Sequence, residues 1–310
     1  MLEKYLQQQG FSKSTIKAYS KEILNFISWC DRENIVPEYA TGSEVMGYIQ
    51  YLQRKGQDIK TRSINLNMIK HYFGYVLHLE VRTDNPARQI KLRGTKSKKL
   101  YPILNIQELE SLYHHYVVPE QQGRQHNAQV FYYTQLSKQR NRAIVSLMIY
   151  QGLATDEVNR LRVQDVKLKE GRVFIAGTRK SNERELELKS QQIMELMEYQ
   201  GRTRKELLQL GKRETNLYFV QTLPTATEKV GNESCVNVWK RLSQELKKIN
   251  PKFINFLQVR TSVITHWLQK YNLREVQYMA GHRYISTTES YRINNLEDLQ
   301  QDVEQFHPIG

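Results

Sequence analysis

The sequence predicts a mainly α-helical chain with a small β-sheet, divided into an N-terminal helical domain and a C-terminal mixed α/β domain. Three observations carry this reading. Apolar residues recur at three- and four-residue spacing through the first 80 positions. A basic stretch from 82 to 100 then interrupts the pattern. Beyond it, two short alternating segments lie among further helical ones, a sheet too small to dominate the class. At 310 residues the chain is long enough for two cores.

Each element has its own justification. Ile16, Tyr19, Ile23, Phe26, Ile27 and Cys30 form one apolar face, with Ser14 as a candidate cap. Thr41-Gly42-Ser43-Glu44 has the form of a capping box, followed by Val45, Tyr48, Ile49 and Leu52 on one face. A third helix starts near Thr61, with Ile64, Met68, Ile69, Tyr72, Phe73, Val76 and Leu79 turned inward. Asp84-Asn85-Pro86 ends it. Seven basic residues and one acid fill 82–100. The expected boundaries are therefore a helical domain over 1–85, a basic linker over 86–103 and a second domain over 104–310. Asn105 and Glu108 predict another capped helix, and the polar stretch 119–138 reads as a loop-bearing insertion. Ala143–Tyr150 is an apolar helix stopped near Gly152. Residues 172–177 and 184–188 read as strands, and 190–200, 235–249 and 259–269 as helices.

Charge narrows the function. Forty-six Lys and Arg against 32 Asp and Glu give a formal charge of +14, which calls for a polyanionic partner, nucleic acid first and an anionic membrane second. No stretch is long and apolar enough to span a membrane, and the glutamine-rich start is not a signal peptide. Cys30 and Cys235 read as free thiols of a reducing cytoplasm. No Cys/His pattern suggests a metal, so no metal or other cofactor is expected.

The chemistry concentrates near the C-terminus. Arg260 precedes His282 by 22 positions, and Tyr291 follows His282 by nine. A phenol is a poor nucleophile at neutral pH, so it needs a site that stabilises negative charge. Arg260 offers a planar fork matched to two phosphate oxygens, and His282 can donate to the phosphate or take the phenol proton. Attack by Tyr291 would store the bond energy in a phosphotyrosine, so neither ATP nor metal is required. Singly, each of these residues reads more simply as a surface or core side chain; their joint spacing points to a site.

In Met279-Ala280-Gly281-His282, Thr287-Thr288 and Tyr291, and in Gln151-Gly152-Leu153-Ala154-Thr155-Asp156-Glu157-Val158, the chain resembles the tyrosine-recombinase (phage-integrase) family. The resemblance runs in order over nearly the whole chain. It implies a SAM-like, core-binding N-terminal domain and a catalytic domain that clamp duplex DNA. It implies site-specific recombination or integration through a 3′-phosphotyrosine, and a tetrameric synapse. The tail 296–310, acidic and amphipathic, would be exchanged between protomers. Tyr291, Arg260, His282 and Glu157 take catalytic positions, and Arg93, Lys96, Lys98, Lys99 and Arg179 are expected on DNA.

Three positions depart from the family pattern. Its first arginine falls on Ala154, a histidine on Leu257 and the hairpin lysine on Thr178. Lys180 is the candidate acid instead. Arg179, Lys180, Arg184 and Arg142 are candidate replacements for the missing arginine. A catalytically degenerate DNA-binding protein of the same fold, or an enzyme that nicks without exchange, remain the alternatives.

Overall fold

The computed structural model describes residues 1–94, 101–119, 128–212, 214–220 and 236–292. The chain divides into two compact units, 1–99 and 100–310.

The first unit is helical. Helices α1 (Leu2–Gln8), α2 (Lys13–Arg32), α3 (Gly42–Arg54) and α4 (Ile59–His78) surround a core that includes Phe26, Trp29, Tyr48, Tyr72 and Phe73. Most of their rings meet edge to face or tilted, opposing quadrupole edges to ring faces, while Phe26 and Trp29 stack. The Thr41–Glu44 capping box forms as the sequence predicts. Two starts lie earlier than expected. Ser12, not Ser14, caps α2, because Ser12 keeps an extended backbone while Ser14 is already inside the helix. Asp58 caps α4, three residues before Thr61. Ile64 and Leu79, expected inside, are about half exposed. The unit also takes in residues assigned to the linker: Ala87 is fully buried, and Ile90 and Leu92 pack on the same core. Lys70 donates to the Ile90 carbonyl and holds this stretch down.

The second unit begins with α5 (Ile106–His114), which carries the predicted Asn105–Glu108 capping box. Helix α6 (Ala128–Tyr150) follows, its apolar half Ala143–Ile149 buried at the centre of the core. The polar segment read as loop over 119–138 is thus helical from 128 onward. Its first turns leave Val130 and Tyr132 exposed and bury only Leu136, so a core-facing periodicity shows only where α6 enters the core. A short helix α7 (Thr155–Arg160) leads to a three-stranded antiparallel sheet, β1 (Val166–Lys167), β2 (Arg172–Ile175) and β3 (Arg184–Glu187), in the order 1-2-3. Val173 pairs with Leu186 and Ile175 with Arg184. Helices α8 (Ser190–Glu198), α9 (Arg204–Gly211), α10 (Val236–Ile249), α11 (Phe256–Lys270), α12 (Leu273–Ala280) and α13 (Ile285–Glu289) complete the unit.

Gln151 and Gln192 exchange two amide hydrogen bonds of 2.8 and 2.9 Å in the core. This reciprocal pair satisfies both buried amides and fixes the chain just before Gly152. Among the described residues no helix is long and apolar enough to cross a membrane.

Candidate active site

The site is built around one buried carboxylate. Glu157 lies in the first turn of α7, where it reaches back to the Ala154 backbone N–H at 2.8 Å. A carboxylate at a helix start suits the helix dipole, and here it also satisfies an orphan donor. Arg184, on β3, grips the same carboxylate with both Nη atoms, at 2.8 and 3.0 Å. Arg260, on α11, adds a third approach at 2.9 Å. Burial alone would raise the Glu157 pKa. The hydrogen bonds from Arg184 and the charges of Arg260 and Arg184 overcome it and hold the carboxyl at about 2.

Arg260 is fixed on two further sides. Its Nη1 donates to the Gly152 carbonyl at 2.6 Å, and its Nη2 to the Ala280 carbonyl at 2.7 Å. Gly152 (φ +60°) can turn this carbonyl inward because it lacks a Cβ, which would lie 2.9 Å from the Trp267 ring. The Arg260 guanidinium also acts on the Tyr291 phenol by charge and hydrogen bonding.

Gly281 ends α12 in the left-handed conformation (φ +67°), and the turn presents His282. A short bridge pairs Ser181 with His282, and the Asn182 N–H donates to the Gly281 carbonyl at 3.0 Å. The β2–β3 hairpin is thereby fastened to the Gly-His turn. His282 Nδ1 lies 2.9 Å from Thr288 Oγ1, and Nε2 has no protein partner among the described residues. Burial, then the charges of Arg260 and Arg184, lower the His282 pKa to about 4, so the ring is neutral near pH 7. Tyr291 stacks on it, ring centroids 5.5 Å apart and planes 13° from parallel. It also packs on Ile264, Val276 and Ala280. Burial raises its phenol pKa and Arg260 opposes the rise, leaving it protonated at rest.

Tyr291, Arg260, His282 and Glu157 are thus brought together. Lys180 is not: it is exposed at the hairpin tip, and its side chain forms no hydrogen bond or ion pair among the described residues. Thr178, at the family's lysine position, accepts from the Lys180 and Ser181 backbone N–H groups and so shapes the turn. Arg179 is exposed, and its carbonyl accepts from the Arg283 side chain. Arg93 is exposed on the first unit. Lys96, Lys98, Lys99 and the tail 296–310 lie outside the described residues. Leu257 is half exposed and offers no donor. Arg142 pairs instead with Glu195, and Arg160 with Asp156. Sequence reasoning missed Thr288 as the partner of His282; the Thr-Thr pair was the only signal.

A neutral histidine stacked on a tyrosine, with an arginine fork beside them, on a mainly helical chain of two units, defines a tyrosine recombinase. The profile of the phage integrase family matches residues 131–297, and that of its N-terminal SAM-like domain matches 1–83. The chain belongs to the phage integrase family. It is 25% identical over 307 residues to tyrosine recombinase XerD of Oceanobacillus iheyensis, covering 97% of this chain and 94% of that one. Tyrosine recombinase XerA of Pyrococcus furiosus is 25% identical, over 97% and 91%. Among solved structures, XerH bound to its difH substrate aligns with a TM-score of 0.68 at 17% identity, covering 96% of this chain and 82% of that one. A lambda integrase tetramer on a Holliday junction gives 0.59 at 13%, over 94% and 74%. These likenesses establish the fold.

Proposed function

We propose that this protein is an active site-specific DNA recombinase or integrase that works through a covalent 3′-phosphotyrosine at Tyr291. The observation that carries this reading is the stacking of Tyr291 on a neutral His282 beside Arg260.

The phenol oxygen of Tyr291 attacks the scissile phosphorus, the P–O5′ bond breaks, and a 5′-hydroxyl leaves. His282, neutral and held through Nδ1, presents Nε2 to the phosphate or to the departing phenol proton. Arg260 offers its uncommitted N–H groups to the non-bridging oxygens, where negative charge builds up in the transition state. Lys180, exposed at the hairpin tip, is the group that protonates the leaving 5′-oxygen. A 5′-hydroxyl from another strand then reverses the step, so that protomers on paired sites exchange strands. The catalytic carboxylate Glu157 stays ionised throughout and orients both arginines.

The test uses a nicked single-site DNA and a pair of intact sites. Tyr291→Phe should retain DNA binding and lose the covalent adduct, since only a hydroxyl is removed. The parent should yield adduct on the first substrate and joined products on the second. An adduct in Tyr291→Phe would assign the nucleophile elsewhere, with exposed Tyr284 the next candidate. Binding without adduct in the parent would favour the degenerate DNA-binding protein. Adduct without joined products would favour a nicking enzyme.

A further inference from the structure

We propose that Arg184 is the second positive charge of the active site, a positioning residue that stands in for the arginine absent at position 154. The proposal rests on the recombinase reading above.

The family's first arginine would arise from the residue that here is Ala154. The Ala154 backbone N–H and Arg184 Nη2 both donate to Glu157 Oε2, so the Arg184 guanidinium is only two hydrogen bonds from position 154. No other candidate is so placed: Arg142 pairs with Glu195, and Arg179 and Lys180 are exposed on the hairpin.

Charge counting gives Arg184 its purpose. Glu157 and Arg260 alone sum to zero, and a phosphate would enter a neutral pocket. With Arg184 gripping the carboxylate, the pocket holds one net positive charge. In a site shielded from water, that difference acts strongly on a five-coordinate phosphorus. The position is also a costly one for a cation. Arg184 lies on the strand face shared with buried Leu186, and its side chain is wholly inaccessible. A leucine there would avoid the desolvation cost. The guanidinium retains a buried Nε–H with no partner among the described residues.

Gly281 shows that the fold makes room for this side chain. A Cβ on Gly281 would collide with Arg184 Nη1 and come within 3.0 Å of its Cζ. Arg184 is therefore seated against the turn that carries His282. The charged and titratable groups around His282 are Arg260 from α11, Arg184 from β3, Glu157 from α7 and Tyr291 after α13, and the two arginines are what lower its pKa beyond burial.

The test compares the full chain with Arg184→Gln, Arg184→Lys and the double variant Arg184→Gln/Ala154→Arg. Two quantities are read: the imidazole titration of His282 by NMR without DNA, and the single-turnover adduct rate on a nicked substrate. Arg184→Gln should slow adduct formation by about 10²–10³-fold, the usual loss for one preorganised charge donor. It should also move the His282 midpoint upward. Arg184→Lys should hold that midpoint near the parent's. The double variant should recover at least about tenfold of the lost rate, as expected if one donor replaces another. A folded Arg184→Gln with unchanged His282 midpoint and rate overturns the proposal, as does a folded double variant with no recovery. If Arg184→Gln does not fold, the double variant and the Arg184→Lys midpoint decide by the same criteria. If the parent forms no adduct, the recombinase reading fails, and the His282 titration still judges Arg184.

Discussion

Glu157 receives donors from a backbone N–H and two arginines, and its ionisation leaves a signature in acid. Its folded pKa is depressed to about 2 from 4.5, so its stabilisation is complete above the unfolded value and is lost as pH falls towards 2. His282 behaves likewise at higher pH. Its folded pKa, depressed to about 4 from 6.5, means that the unfolded chain binds the proton first. Stability should therefore fall as pH drops from about 6.5 to 4, by on the order of 3 kcal/mol for this group. Denaturant unfolding of the parent and His282→Asn across pH 4–8 checks this. The variant should lose that limb and keep the carboxylate limb below it; identical slopes would mean His282 is not held neutral by its site. Arg260, His282 and Tyr291 were legible from spacing because the chemistry demands all three. The burial of Arg184 was signalled only by parity with Leu186 and Leu188, and four residues of strand leave that parity ambiguous.

At the scale of elements, the fastening of the β2–β3 hairpin to the Gly-His turn couples two segments a hundred residues apart. Gly281 is the joint. Gly281→Ala should cost about 1–2 kcal/mol for the left-handed backbone alone, and more for displacing Arg184. Gly201→Ala is the control, since a Cβ there meets nothing within 4 Å. Thermal unfolding of both variants measures the difference, and equal melting would show that the turn tolerates a side chain. Helices α2, α3 and α4 were readable because each buries an apolar face behind a cap, whereas α1 has no capping side chain and buries only Leu6. Helix α6 was half legible: in its first half only Leu136 is buried, while Val130 and Tyr132 are exposed, so no continuous inward face marks it before the chain enters the core. Helices α7 and α13, of six and five residues, are too short for periodicity to register and owe their form to the packing around them.

The whole molecule carries a formal charge of +14, which fits a partner bound through phosphates. Lys96, Lys98 and Lys99 concentrate charge where the two compact units meet in sequence. Replacing all three with Gln should flatten the dependence of log affinity on log salt by up to about 0.9 for each phosphate no longer neutralised. Binding titrations between low and physiological salt measure that slope. A slope equal to the parent's would mean that these three lysines do not touch the phosphate backbone.

The Glu157 cluster also has a history within each molecule as it is made. Arg184 is 27 positions from Glu157, whereas Arg260 is 103 away. Closing the shorter loop costs less entropy, so the carboxylate meets Arg184 first. Arg260 leaves the ribosome 76 positions later, a delay of roughly 4–15 s at about 5–20 residues per second. His282 and Tyr291 are made last, after both arginines that hold Glu157.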